Sequence, residues 1–161
     1  MIDYSIETEV WLPYSREIVF DFFYAAENLQ IITPPWLDFR IMTPLPIKMQ
    51  EGTLIDYKLY LYGIPMKWKT EISEWEPPFR FVDSQLRGPY QKWVHTHDFT
   101  EKDGGTLMRD RVEDRVPGGP IAPLIHSLFV RRNVEQIFAY RGKTIAEIFP
   151  KQSLSGTLEA V

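Results

Sequence analysis

Hydrophobic and polar positions alternate along most of the first 116 residues and then switch to helical spacing. In residues 3–12, Tyr4, Ile6 and Thr8 stand against Ser5, Glu7 and Glu9, which predicts a strand that Pro13 ends. Ser15 is placed to cap a short helix turning Ile18, Val19, Phe22 and Phe23 inward. A second short helix is expected over 26–32, stopped by Pro34 and Pro35. Six more strands are predicted at 36–42, 52–62, 66–75, 79–86, 90–99 and 106–116. The strand at 52–62 carries Ile55, Tyr57, Leu59 and Leu61 on one face, with Tyr60 and Tyr62 expected outward. The next carries Met66, Trp68, Thr70 and Ile72. From 121 to 149, Val130, Val134, Ile137, Ile145 and Ile148 recur at helical spacing, flanked by Phe129 and Tyr140. Gly142 falls inside that helix, where it marks either a close approach to the sheet or a bend.

This order predicts an α+β fold. One long helix cannot cover both faces of a seven-stranded antiparallel sheet, so the sheet must curl round it. The two short helices after the first strand then plug one end, and space is left between sheet and helix. Residues 1–149 read as a single domain. The tail "PKQSLSGTLEAV" (150–161) has no core pattern and is expected to be flexible.

Composition narrows the function. The net charge of −4 gives no general attraction to phosphate backbones, so no nucleic-acid partner is expected. There is no cysteine, which excludes thiolate chemistry and fits a reducing cytoplasm. Charge from the third residue onward argues against a signal peptide, and no apolar run reaches the roughly 18 residues of a membrane span. Aromatic residues make up 14% of the chain, an excess that suits an apolar cavity wall. No phosphate loop, dinucleotide glycine pattern or nucleophile elbow occurs.

The candidate chemistry lies in "YQKWVHTHDF" (90–99), where Trp93, His95, His97 and Phe99 share one face. A hairpin turn centred on Asp103-Gly104 sets Phe99 opposite Met108, His97 opposite Asp110, His95 opposite Val112 and Trp93 opposite Asp114. The less regular connection before it favours Phe81 opposite His97, Asp83 opposite His95 and Gln85 opposite Trp93. The inner wall is then a polar row of Asp83, Gln85, His95, His97 and Asp110 among Tyr57, Trp68, Trp93, Phe99 and Met108. These ten are the candidate ligand-binding residues. Four readings of the row stay open: satisfied polar pairs within the sheet, a ligand anchor, a general acid/base, and a metal site. Catalysis would fall to His97 with Asp110, or His95 with Asp83. No metal or cofactor is assigned, since both rings have prospective carboxylate partners. His126, early in the long helix, reads as a solvent or packing residue. The loop "PLPIKMQEG" (44–52) is either a lid or a stiff rim.

The stretches "FVDSQLRGPYQKWVHTHDF", "GGTLMRDRVEDRVPGG" and "VEQIFAYRGKTIAEIF", with the element order, resemble the START-like or SRPBCC superfamily of helix-grip domains. The resemblance is greatest to the small bacterial proteins grouped with polyketide cyclases and dehydratases. It implies a helix-grip fold over residues 3–149 and an internal ligand cavity. Within that pattern Tyr140 is expected to reach the cavity and Arg141 to be structural. The expected function is that of a carrier or sensor of a small, mostly hydrophobic ligand. The alternatives are a cyclase- or dehydratase-type enzyme and a ligand-free interaction module. Oligomeric state is left open.

Overall fold

Two tight turns fix the sheet register. Tyr62 (φ 50°) with Gly63 (φ 77°), and Asp103 (φ 50°) with Gly104 (φ 76°), place both central residues in the left-handed region. That geometry matches the twist of the flanking strands. The computed structural model describes residues 3–150, so the expected flexible tail lies, apart from Pro150, outside the described residues. Seven strands form: β1 (Tyr4–Leu12), β2 (Arg40–Ile41), β3 (Leu54–Leu61), β4 (Ile64–Glu76), β5 (Arg80–Arg87), β6 (Lys92–Lys102) and β7 (Gly105–Arg115). They make one antiparallel sheet in the order β1-β7-β6-β5-β4-β3-β2. Register shifts on β4 at Lys69/Thr70 and Ile72/Glu74 add local twist and bend where the sheet must curve.

The predicted register holds across β6 and β7, with Phe99, His97, His95 and Trp93 opposite Met108, Asp110, Val112 and Asp114. Phe81 faces His97 and Asp83 faces His95. Gln85 does not pair with Trp93, because the β5–β6 ladder stops at Ser84 and Val94. Its side chain instead braces the turn: Gln85 Nε2 donates to the Tyr90 carbonyl (2.7 Å), and the Tyr90 N–H donates to Gln85 Oε1 (3.3 Å). The strand expected over 36–42 shrinks to Arg40–Ile41. Pro35–Leu37 form one 3₁₀ turn, and Asp38, at φ 42°, breaks the extended run.

Two helices follow β1: α1 (Arg16–Tyr24) and α2 (Ala26–Ile32). The Ile18 N–H donates to Ser15 Oγ (3.3 Å), the predicted cap. The buried stripe of α1 is Val19, Phe20, Phe22 and Phe23, while Ile18, expected inward, is exposed. Phe20 meets the rings of Tyr24, Trp75, Phe81 and Phe99 with centroids 5.1–5.7 Å away. The long C-terminal helix is not one uniform coil. A 3₁₀ turn (Gly119–Ile121) leads into α3 (Ala122–Ile125), a π turn (His126–Val130) and α4 (Arg131–Ile148). The wide turn leaves His126 and Val130 both buried. The Tyr14 hydroxyl donates to the Pro150 carbonyl (3.0 Å) and ties the end of the helix to the α1 side. No helix among the described residues is long and apolar enough to cross a membrane.

Gly142 is exposed, and a Cβ built on it meets nothing within 4 Å, so it marks no close approach to the sheet. α4 continues through it without a break. Gly142→Ala is therefore expected to stabilise the fold by about 0.5–1 kcal/mol, through the smaller entropy loss of alanine on helix formation. A thermal melt checks this, and an unchanged or lowered midpoint would show that the glycine is needed.

Candidate functional site

The concave face of the sheet carries every second residue of β5, β6 and β7. That alternation brings Asp83, His95, His97 and Asp110 to one place. Opposite them, α4 presents Asn133, Ile137 and Arg141, one stripe at four-residue spacing. Between sheet and helix lies a cavity of about 180 Å³. Of the sequence-predicted site residues, Tyr57, Trp68, Asp83, Trp93, His95 and His97 line it. Trp68 and Trp93 meet edge to face with centroids 5.4 Å apart. Gln85, bound to the 85–90 turn, does not line it. Phe99 and Met108 do not line it either. They are buried in the aromatic cluster under α1, because their end of the hairpin lies beneath the plug. Asp110 sits behind the two histidines, away from the cavity wall.

The hydrogen bonds run diagonally to the expected pairs. His95 Nε2 lies 2.9 Å from Asp110 Oδ1, and His97 Nε2 lies 2.8 Å from Asp83 Oδ2. His97 Nδ1 also sits 2.8 Å from Asp110 Oδ1, at an angle too poor for a hydrogen bond. Asp110 thus bonds the His95 ring and lies close against that of His97, and the His95–Asp83 pair does not form. The reason is stacking. The two imidazoles lie 3.8 Å apart at 29°, and Phe81 stacks on His97 at 4.2 Å. Rings held face to face direct their nitrogens sideways, to the carboxylates flanking the stack.

Arg141 is tied into the fold as expected and also lines the cavity, whereas Tyr140 does not reach it. Arg141 is buried, lines the cavity and places Nη2 3.5 Å from Asp110 Oδ1. Tyr140 packs against Trp36, on another side of the helix. The signal was present in the chain, since Arg141 lies seven residues after Val134 and four before Ile145, both buried. Asn133 is likewise buried against the cavity and was not singled out in the sequence reading.

These contacts set the charges. Burial pushes the Asp110 carboxyl up, but the Arg141 charge and the two imidazoles outweigh it and hold it well below the usual carboxylate range. Asp83 is lowered as well: burial opposes, and its bond to His97 prevails. His97 is raised because its two carboxylates overcome burial. His95 is lowered, by burial first and by the neighbouring His97 second, against the pull of Asp110. Burial also raises the phenols of Tyr57 and Tyr90.

A second His–Asp pair lies where α3 meets β7. His126 is buried rather than solvated, stacks on Tyr4 at 3.5 Å and places Nε2 3.3 Å from Asp114 Oδ2. Among the described residues, neither Asp114 oxygen has a hydrogen-bond partner, and burial raises this carboxyl despite His126. The loop at 44–52 packs Ile47 and Met49 on the cluster around Tyr57, and Met49 reaches the cavity wall.

No protein-family model matches the sequence, and no curated protein matches it. Solved structures do match. A structural-genomics protein from Chromobacterium violaceum aligns over 92% of this chain and 98% of its own, with TM-score 0.69 and 13% identity. Major latex-like protein 151 from Panax ginseng aligns over 94% of this chain and 100% of its own, with TM-score 0.67 and 10% identity. The nucleoside-diphosphate sugar epimerase from Corynebacterium glutamicum aligns over 88% of this chain and 28% of its own, with TM-score 0.65 and 25% identity. With the curved seven-stranded sheet and the long C-terminal helix, these likenesses show that the chain has the helix-grip fold of START-like, SRPBCC-type proteins.

Proposed function

We propose that the protein binds a small, mostly apolar ligand between sheet and α4, as a carrier or sensor. The observation that carries this reading is the cavity itself. About 180 Å³ is walled by Tyr57, Trp68, Phe81 and Trp93, with polar groups supplied by Asp83 and His95 from the sheet and by Arg141 from α4. An apolar cavity of about 150 Å³ accepts benzene, so the space here suits one or two rings. These polar groups fit a single oxygen substituent, held by the Arg141 guanidinium or an imidazole.

Calorimetry with a panel of one- and two-ring phenols and their apolar parents tests this. The phenols are expected to bind more tightly than the parents. Ile137 lines the cavity from α4, and Ile137→Trp is expected to fill it and weaken phenol binding at least about tenfold, with the circular dichroism unchanged. A folded variant that binds as the natural chain does would move the ligand out of this cavity.

A further inference from the structure

We propose that Asp83, His95 and His97 form a two-histidine, one-carboxylate site for a divalent first-row transition-metal ion that opens onto the cavity. Three observations carry it. The first is spacing. One ligand atom from each residue can be chosen so that all lie within 4.8 Å of one another. Two ligands each about 2.1 Å from one ion stand about 3 Å apart when adjacent. His97 Nε2 and Asp83 Oδ2, at 2.8 Å, already match that edge.

The second is the orientation of the rings. His-x-His on β6 turns both imidazoles to one face, and the pairing of Asp83 with His95 brings the carboxylate beside them. Asp110 bonds the His95 ring at Nε2 and places the same oxygen 2.8 Å from His97 Nδ1, without a hydrogen bond there. A carboxylate on the far nitrogen is the usual support of a metal-binding histidine, because it fixes the tautomer and the ring. His95 Nδ1, His97 Nε2 and Asp83 are left as the three donors.

The third is charge. The Arg141 guanidinium is engaged with Asp110, and among the described residues Asp83, which lines the cavity, forms no ion pair with an arginine or lysine, its close charged contact being His97. Asp83, His95 and His97 all line the cavity, so an ion held by them would keep positions free for water or for a ligand oxygen. Two imidazoles and one carboxylate suit Zn(II), Fe(II) or Co(II) better than Ca(II) or Mg(II). The His126–Asp114 pair offers only two such groups and lies outside this cavity.

The inference does not depend on the organic ligand, and the test is run without one. Tag-free, chelator-treated protein is titrated with Co(II) and followed by its visible d–d absorption. One equivalent is expected to bind. Asp83→Asn and His95→Gln, each shown folded by circular dichroism, are expected to weaken binding by about 100-fold or more. X-ray absorption of the Zn(II)-loaded natural chain needs no variant and is expected to show two imidazoles. Binding no tighter than millimolar, undiminished binding in the folded variants, or an oxygen-only shell around zinc would each overturn the site. Loss of the ion with phenol binding intact sinks this inference alone. Loss of phenol binding with the ion retained sinks the ligand reading alone.

Discussion

Arg141→Met is expected to destabilise the protein by about 3 kcal/mol at neutral pH, the lower end of what breaking one side of a buried ion pair costs. Methionine keeps much of the volume, so the loss is that of the charge. Arg141 is 6% exposed and its nearest carboxylate oxygen is Asp110 Oδ1 at 3.5 Å. Asp110 would then stay buried with only the two imidazoles facing it. The pH dependence separates this from a packing defect. In the natural chain the folded Asp110 carboxyl is depressed, so its contribution is present above the unfolded carboxyl value and is lost as pH falls through the folded one. Without Arg141 the burial that pushes this carboxyl up is less opposed, and protonation relieves the variant sooner. The gap between the two proteins is therefore expected to narrow from pH 7 toward pH 4, measured by urea unfolding. A constant gap would assign the loss to packing rather than to charge, and a gap below about 1 kcal/mol at pH 7 would mean that Arg141 does little for the fold.

The sheet was readable in the chain because its register rests on local chemistry. Asp103-Gly104 specifies a two-residue turn, and period-two alternation then assigns each side chain to a face. Hence Asp83, His95, His97 and Asp110 could be placed together from sequence. Which imidazole nitrogen meets which carboxylate could not, because backbone pairing fixes neighbours and not rotamers. The stack of His95, His97 and Phe81 decides that, and it forms only when the sheet is curved and filled. Gln85 failed for a related reason: one amide able to bond both backbone groups of Tyr90 turns a ladder position into a turn brace.

The apolar stripe of the helix was legible, since Val130, Val134 and Ile145 are buried and Ile137 lines the cavity. The π turn at His126–Val130 was not, because no local pattern marks a wider coil. The family resemblance suggested Tyr140 as a cavity residue, whereas the inward place belongs to Arg141. A long cationic side chain is ordinarily assigned to solvent. Here Asp110 on β7 compensates it by direct contact between helix and sheet, a pairing of residues 31 apart that no local pattern announces. His126 is the same case, since its partner Asp114 lies on β7 and its stacking partner Tyr4 on β1.

Phe20→Ala is expected to cost about 3–5 kcal/mol, the range for deleting a buried phenylalanine whose site cannot collapse. Collapse is unfavourable here because the surrounding groups are rigid. Phe20 is 1% exposed and touches four aromatic rings, three of them on the sheet: Trp75, Phe81 and Phe99. Rings on paired strands cannot advance into the gap without bending the ladder. For a chain of this size the loss corresponds to a drop in melting midpoint of roughly 2–4 °C per kcal/mol. The effect should also reach the polar cluster. Phe81 is held between Phe20 on one side and the His97 ring on the other, so a gap at Phe20 frees Phe81 to move and His97 to lose its stacking partner. The His97 ring resonance is expected to broaden or shift in Phe20→Ala, while that of His126, which packs instead on Tyr4 at the other end of β1, stays in place. A large stability loss with both resonances unchanged would confine Phe20 to plugging the end of the sheet. A loss below about 1 kcal/mol would show that α1 does not anchor the core at all.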